Sequence, residues 1–343
     1  MVYNKYIGII GGTGTIGSII VKYLLQLQTH FHVLIGGRRS IKEISMSTFY
    51  NSERLKYNQM NYNNDVELDN FCSQCLLVIN AVGPSFKIND KIALHALRNN
   101  CHYIDIGGYG ILRDLLKPYE KSIEAQKLCF IIGVGWMPGI SGVFSKTIIE
   151  THLNSPENTN FNIYYGAVDN WSYSSTYDLA ASSMGKTRSY VYSHGKEIQV
   201  SPFRYTHHKF FPFIGHKKIC MPSFDEQLTQ LATSLKQIRK ISTFIMLNDY
   251  ISMGKFMFIK IFYKHNLNKA TLMLQDDYQR LVKKENKWGS VICQVSKIEP
   301  ERKIDTFYYL YTKNNLLYTA LPAVITTQYI LEGKTKGTIK YFV

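Results

Sequence analysis

The chain has 343 residues, of which 45% are apolar, and it carries a formal net charge of +15 at pH 7. This length suits two domains, and the apolar fraction excludes an intrinsically disordered chain. The positive charge favours an anionic partner, which could be a phosphorylated cofactor, an acidic protein or a membrane face. No DNA- or RNA-reading motif is present, so a nucleic-acid partner is not expected.

The first 135 residues alternate between short apolar runs and helical patterns. Pro118 is expected to kink or split the last of the helices. The predicted strands cover 6–10, 31–36, 55–60, 75–82, 102–106 and 129–135, and the predicted helices cover 16–24, 65–74, 88–99 and 111–127. Strands that alternate with helices predict a parallel sheet covered on both faces, so residues 1–135 are assigned to a doubly wound Rossmann domain.

After Pro138-Gly139 the pattern changes to short, Tyr-, Ser- and Thr-rich strands, with His194-Gly195 as a hairpin turn. Strands are predicted at 162–168, 187–193, 196–200, 270–275 and 306–312, and helices at 140–152, 225–238 and 315–331. Residues 136–313 are therefore assigned to a mixed α+β substrate and dimerisation domain with a largely antiparallel sheet. Residues 314–343 are predicted to form a helix and tail that return to the Rossmann domain. The fold class is α/β.

The strongest motif is a G-x-G-x-x-G turn between the first strand and the first helix. Such a turn lets the backbone approach a pyrophosphate and presents a helix N-terminus to it. The cofactor-binding residues predicted here are Gly11, Gly12, Gly14, Thr15, Ile16 and Gly17.

The loop after the second strand decides which dinucleotide is bound. NAD-binding domains usually place an acid there for the ribose 2′-OH, whereas this chain has Arg38, Arg39 and Ser40. An arginine can hold the 2′-phosphate of NADP through charge-assisted hydrogen bonds. The sequence therefore predicts NADP(H) as the cofactor; a solvated basic loop is the alternative.

Two further strand ends carry candidate site residues. The segment Ala81, Val82, Gly83 and Pro84 follows the fourth strand, where ligands bind in open α/β sheets, and is assigned to the cofactor site. Tyr103 and Asp105 end the next strand and are the predicted catalytic residues, although Asp105 could instead cap a loop. No metal site is predicted.

Five segments, at 11–17, 36–39, 78–84, 102–108 and 135–142, follow one another in an order and spacing that resemble the saccharopine dehydrogenase-like (saccharopine reductase-type) NADP-binding family. Residues 316–337 are also similar to that family's closing helix and glycine turn. The resemblance implies a nicotinamide-binding domain, a sheet-based substrate domain and a cleft between them. Many relatives have an acid where this chain has Tyr109 and another in the loop that here contains Trp136-Met137.

Relatives in this family reduce imines derived from amino acids, or C=C bonds in lipid-like substrates. The resemblance therefore implies an NADPH-dependent reductase of a C=N bond in an amino-acid-derived or natural-product intermediate. An enoyl reductase acting on a lipid-like or carrier-bound substrate and a non-catalytic NADP sensor are the alternatives. Tyr177 and the pair His207-His208 are further candidate proton donors.

The remaining sequence features concern location and partners. No signal peptide or transmembrane run is recognised, and the scattered cysteines, including Cys72 and Cys75, are interpreted as packing residues in a reducing cytoplasm. The basic and apolar stretch 236–264 is interpreted as an amphipathic helix, with docking of a carrier protein or a membrane left open. A small-molecule substrate, free or bound to a carrier protein, is expected, and a homodimer is left open.

Overall fold

The computed structural model describes residues 5–27, 31–40, 52–108, 110–153, 156–184, 189–223, 226–263, 265–334 and 337–341. The chain divides into two compact units, Met1–Ile140 with Leu316–Val343, and Ser141–Asn315. Predictions that fall on Tyr109, Thr187-Arg188, Asp225 and Lys264 lie outside the described residues.

The secondary structure of the described residues alternates strands and helices in the first unit and mixes them in the second. The strands are β1 (Tyr6–Ile10), β2 (Val33–Gly37), β3 (Leu55–Gln59), β4 (Cys75–Asn80), β5 (His102–Asp105), β6 (Cys129–Ile132), β7 (Thr159–Val168), β8 (Ser189–Ser193), β9 (Lys196–Val200), β10 (His207–Phe211), β11 (His216–Pro222), β12 (Lys240–Leu247), β13 (Trp288–Ile298), β14 (Lys303–Thr312) and β15 (Thr338–Tyr341). The helices are α1 (Thr15–Gln26), α2 (Asp65–Cys72), α3 (Ser85–Ile88), α4 (Lys91–Arg98), α5 (Gly110–Leu116), α6 (Glu120–Ala125), α7 (Ile140–His152), α8 (Tyr173–Met184), α9 (Pro202–Tyr205), α10 (Glu226–Ser234), α11 (Tyr250–Phe262), α12 (Leu267–Lys284) and α13 (Asn315–Leu331).

The first unit is a seven-stranded parallel sheet in the order β15-β6-β5-β4-β1-β2-β3. The strand order reverses between β1 and β4, which is the topological switch point where open α/β sheets bind ligands. This sheet confirms the predicted Rossmann architecture, and β15 brings the end of the described chain beside β6.

Alternation of side chains along the strands gives this sheet two apolar faces. Ile10 packs in one cluster with side chains of α2, α4 and α5, whereas its neighbour Ile9 packs in the other with side chains of α1 and α13. Because both faces are covered by helices, the strands must be apolar throughout, as their sequences are.

The second unit contains a sheet in the order β10-β11-β12-β7-β13-β14, to which β8 and β9 attach through β12. Neighbouring strands pair antiparallel except β12 with β7, which are parallel. The predicted hairpin is confirmed: Ser193 pairs with Lys196, and the turn residues His194 and Gly195 have φ values of 49° and 74°. Two consecutive positive φ angles are typical of a type I′ turn.

Several predicted elements in the second half were wrong. Residues 270–275 lie inside α12 and do not form a strand; Ala270, Leu274 and Leu281 share the buried face of that helix. The stretch 236–264 contains the strand β12 as well as the helix α11, and α8 was not predicted.

In the first unit the predicted helix 88–99 is interrupted at Asn89, whose φ is 52°, and forms α3 and α4. Pro118 lies in a short 3₁₀ turn between α5 and α6, which confirms the predicted split.

The six cysteines are all free and buried. Cys101 Sγ lies 3.1 Å from the Cys72 carbonyl oxygen and 3.2 Å from that of Cys75, and burial raises the pKa of Cys101 to about 11. These cysteines therefore behave as small core residues. Among the described residues, no helix is both long and apolar enough to cross a membrane.

Candidate functional site

The turn between β1 and α1 is closely packed and opens a helix N-terminus to its surroundings. Gly11 has a φ of 84°, and a Cβ on Gly17 would lie 2.2 Å from the Gly11 carbonyl oxygen. Gly14 is the N-cap of α1, and no side chain caps the helix there. The first N–H groups of α1 therefore remain available for a phosphate, and the glycine turn fits the pyrophosphate of a dinucleotide.

The arginine loop lies beside this turn. A Cβ on Gly37 would lie 3.6 Å from Thr13 Oγ1, so the loops that follow β1 and β2 are neighbours. Arg38 and Arg39 are exposed. Gln59 Nε2 donates to the Arg38 carbonyl oxygen at 3.3 Å, and Tyr57 donates from its hydroxyl to the Arg39 carbonyl oxygen at 2.5 Å. Side chains of β3 thus hold the loop backbone and leave both guanidinium groups on the surface, as a 2′-phosphate site requires.

The loop after β4 packs against the glycine turn. The Ala81 N–H donates to the Ile10 carbonyl oxygen at 2.9 Å, and a Cβ on Gly11 would lie 2.8 Å from Val82 Cγ2. The Val82 N–H donates to Asn80 Oδ1 at 3.0 Å. Residues Ala81 to Pro84 therefore begin at a fixed position next to the proposed pyrophosphate site.

Tyr103 and Asp105 are brought together, but both lie in the interior. Asp105 is 2% exposed. Its Oδ2 accepts hydrogen bonds from the Tyr103 hydroxyl at 2.5 Å and from Asn80 Nδ2 at 2.9 Å. Burial raises the pKa of the Asp105 carboxyl, whereas the hydrogen bonds from Tyr103 and Asn80 oppose that rise. Burial also raises the pKa of Tyr103 well above its usual value, and the charge of Asp105 adds to the effect.

This hydrogen-bond network connects three loops at the carboxyl edge of the sheet. Asn80 joins Asp105 to the Val82 backbone, and the Asp105 carbonyl oxygen accepts from the Val134 N–H at 3.0 Å. The arrangement can hold the loops after β4, β5 and β6 in register, and it favours the loop-capping alternative for Asp105. Asn80 was missed as a site residue by sequence reasoning, although a polar amide at the end of an apolar strand was a usable signal.

The 135–142 segment is built on its own backbone hydrogen bonds. The Gly135 N–H donates to the Pro138 carbonyl oxygen at 3.1 Å, and the Ile140 N–H donates to the Gly135 carbonyl oxygen at 3.0 Å. Trp136 packs edge-on against Tyr318 of α13, with ring centroids 6.1 Å apart. The closing helix therefore supports this loop within the first unit.

The other candidate proton donors belong to the second unit. Tyr177 is buried on α8. The His207 ring donates from Nδ1 to the Tyr205 carbonyl oxygen at 3.0 Å, and His208 Nε2 lies 2.9 Å from the Tyr250 hydroxyl. All three therefore lie in a different unit from Tyr103 and Asp105.

Comparison with known proteins agrees with this geometry. Residues 7–129 match the family described as the saccharopine dehydrogenase NADP-binding domain. The chain is similar in structure to apo saccharopine dehydrogenase (L-Glu forming) from Saccharomyces cerevisiae, with 14% identity, a TM-score of 0.65 and coverage of 98% of this chain and 94% of that one. No curated protein matches the sequence significantly.

Two further solved structures are similar to this chain at lower scores. DAP dehydrogenase from C. glutamicum in complex with DAP is 9% identical, with a TM-score of 0.49 and coverage of 99% and 93% of the two chains. Dipicolinate-bound dihydrodipicolinate reductase from Paenisporosarcina sp. TG-14 is 11% identical, with a TM-score of 0.44 and coverage of 98% and 97%. The family match confirms NADP as the cofactor, and the yeast structure confirms the fold.

Proposed function

We propose that this NADP-dependent oxidoreductase, whose NADP-binding domain belongs to the saccharopine dehydrogenase family, reduces the C=N bond of an imine derived from an amino acid or a natural-product intermediate. NADPH supplies the hydride when it is bound. The protein then has to hold the cofactor, orient the imine and exclude water.

The burial of Tyr103 and Asp105 is the observation that favours reduction of a C=N bond over reduction of a C=C bond. Enoyl reduction needs a proton donor or an electrophile for the developing enolate, whereas an imine that is already protonated accepts a hydride without one. Tyr103 and Asp105 are buried and bonded to each other, and the pKa of Tyr103 is raised well above its usual value. Two groups in this state are better suited to fixing loops than to giving a proton to a substrate.

Each loop then has a separate role toward the cofactor. We assign the pyrophosphate to the turn from Gly11 to Gly17, and the 2′-phosphate to Arg38, Arg39 and Ser40. We assign the nicotinamide side to the loop from Ala81 to Pro84. Asn80 and Asp105 act as positioning residues for that loop, since they bond to each other and to the Val82 N–H.

The test is a reduction assay with two matched substrate panels. NADPH consumption is followed by its absorbance with cyclic imines of amino-acid origin and with enones of the same carbon skeleton. The expected result is turnover with imines and a product containing the new C–H bond. Turnover with enones alone would replace the proposal with enoyl reduction. Tight NADPH binding without turnover on either panel would favour an NADP sensor.

A glycine variant links any activity to the proposed site. Gly14→Val places a branched side chain at the exposed N-cap of α1, where the pyrophosphate is expected, and should abolish NADPH binding in a folded protein. Gly254→Ala is the matched control, because a Cβ there meets no atom within 4 Å. If titration shows unchanged NADPH affinity in Gly14→Val, the pyrophosphate does not bind at this turn.

A further inference from the structure

The outer side of α11 is apolar although it is exposed. Ile251, Phe258, Ile261 and Phe262 are 51%, 41%, 65% and 65% exposed, and their spacing places them on one side of the helix. Ser252, Phe256 and Ile259 form the buried side. A helix that is apolar on its exposed side as well as on its buried side is expected to have both sides covered. We call the four exposed residues the α11 ridge.

The ridge is held firmly from beneath. The Asp249 side chain caps α11 by accepting from the Ser252 N–H at 2.9 Å. Arg280 of α12 donates to both carboxylate oxygens of Asp249, at 2.7 and 2.9 Å, and Lys255 Nζ lies 2.9 Å from Asp276. These ion pairs fix the helix on its support and also neutralise the acidic groups next to it.

The exposed apolar surface continues onto β10. Tyr250, at the start of α11, contacts His208 at 2.9 Å, and Phe210 lies on the same face of β10 as His208. Phe210 is exposed, and its cross-strand partner on β11 is the exposed Lys217. Lys269 on α12 is a further exposed cation, whereas Lys260 packs over the Phe256 ring at 5.0 Å on the buried side of α11.

We propose that the α11 ridge docks on an anionic membrane surface, with its isoleucine and phenylalanine side chains at the boundary between headgroups and acyl chains. An exposed apolar helix face with exposed lysines on the neighbouring elements, Lys217 on β11 and Lys269 on α12, suits an interfacial position, because lipids cover the apolar side chains and anionic headgroups attract the cations. A second copy of the chain would bring two sets of lysines together, which like-charge repulsion disfavours.

The experiment is vesicle sedimentation with the full chain. Vesicles of phosphatidylcholine with phosphatidylglycerol are compared with vesicles of phosphatidylcholine alone, at low and high salt. Wild type is expected to sediment with the anionic vesicles and to be released as salt rises. The double variant Phe258→Ser, Phe262→Ser should bind them at least ~10-fold more weakly, because two exposed aromatic anchors are lost.

Matched controls separate docking from damage to the fold. Val66→Ser removes a 68% exposed apolar residue from α2 in the other unit and should leave vesicle binding unchanged. The circular dichroism spectrum and the melting temperature should remain at the wild-type values in every variant, which shows that the unit carrying α11 is folded. Unchanged NADPH affinity shows the same for the first unit, whichever bond the protein reduces.

Four outcomes would overturn membrane docking. The first is wild type that stays in the supernatant with both kinds of vesicle. The second is equal vesicle binding by wild type and the double variant. The third is a dimer in sedimentation equilibrium that the double variant dissociates without vesicle binding, which would assign the ridge to a second copy. Lipid-independent binding of an acidic carrier protein to the ridge, in anisotropy titrations, would assign it to that partner instead.

Discussion

Arg38 and Arg39 are the two side chains that we expect to set cofactor preference. They are exposed on a loop whose backbone is held by Tyr57 and Gln59, so truncating either arginine should not disturb β2 or β3. Arg38→Ala or Arg39→Ala is expected to weaken NADPH by roughly 1.5–3 kcal/mol, the value of a charge-assisted contact. NADH, which lacks the 2′-phosphate, should lose little. Titration of both cofactors measures the difference.

The control for this pair is Arg302→Ala, which removes an exposed arginine that pairs with Glu299 in the other unit. Its affinity for NADPH should equal that of wild type. Losses of the same size for NADPH and NADH in Arg38→Ala and Arg39→Ala would contradict a 2′-phosphate site at this loop.

Asp105 gives a prediction about pH. Its pKa in the folded protein is raised above the ordinary value of 3.8 by burial. A folded state that binds a proton more tightly than the unfolded chain is stabilised at low pH, and this contribution is lost as pH rises through the raised pKa. Stability of wild type should therefore decline above pH 3.8 by an amount that is absent in Asp105→Asn.

Thermal melts followed by circular dichroism across this pH range measure the effect. The stability difference between wild type and Asp105→Asn should shrink, or turn in favour of the variant, as pH rises. Parallel curves would show that the carboxyl of Asp105 does not titrate differently in the folded protein.

At the scale of single elements, the β8–β9 hairpin depends on one glycine. Gly195 has a φ of 74°, and a Cβ there would lie 3.1 Å from the Thr233 carbonyl oxygen and 2.8 Å from Lys236 Cγ. Gly195→Ala should lower the free energy of unfolding by about 1–3 kcal/mol, the cost of an alanine held in left-handed backbone.

Gly254→Ala is the comparison, because Gly254 lies inside α11 with open space around it. Alanine is favoured there by up to about 1 kcal/mol, so the two glycine variants should shift the melting temperature in opposite directions. A melting temperature that does not change in Gly195→Ala would mean that the turn relaxes without strain.

The elements that could be predicted from sequence are those whose signal is local. The glycine turn and the His194-Gly195 hairpin depend on glycines, which adopt backbone angles that other residues rarely reach, and the interruption depends on Pro118, whose ring fixes φ. The alternation in 270–275 is equally compatible with a strand, and only the longer spacing from Ala270 to Leu281 indicates a helix. Packing of α12 against its neighbours decides between them.

The candidate site also has a part that local sequence predicts and a part that depends on the assembled sheet. The positions of the glycines and arginines follow from what a phosphate requires of the backbone and of charge. The contact between Asn80 and Asp105 depends on the register of β4 with β5, in which these two residues are direct partners. Register between distant strands is a property of the assembled sheet, so the burial of Asp105 could not be read from its neighbours in sequence.

At the scale of the whole molecule, the first unit is made from two distant parts of the chain. α13 contributes Ala320, Ala323, Val324 and Ile330 to the apolar face beneath β1 and β4, and β15 pairs with β6. A chain that ends at Asn315 should therefore expose the part of this face that α13 covers. Loss of the Val324 and Ile330 side chains alone removes roughly 3–6 kcal/mol of stabilising free energy from apolar burial. This is a large part of the total stability of a typical domain.

We expect the truncated protein to lose NADPH binding in fluorescence titrations and to become sensitive to protease within residues 1–140. Ala323→Asp puts a charge at a fully buried position of α13. In the full-length chain this substitution should also weaken NADPH binding and increase protease sensitivity. Tyr329→Ser is the matched control, since Tyr329 is exposed on the same helix, and it should bind NADPH as wild type does. Wild-type NADPH affinity in the truncated chain would show that the NADP-binding unit folds without its C-terminal segment, and that α13 only covers a sheet already stable without it.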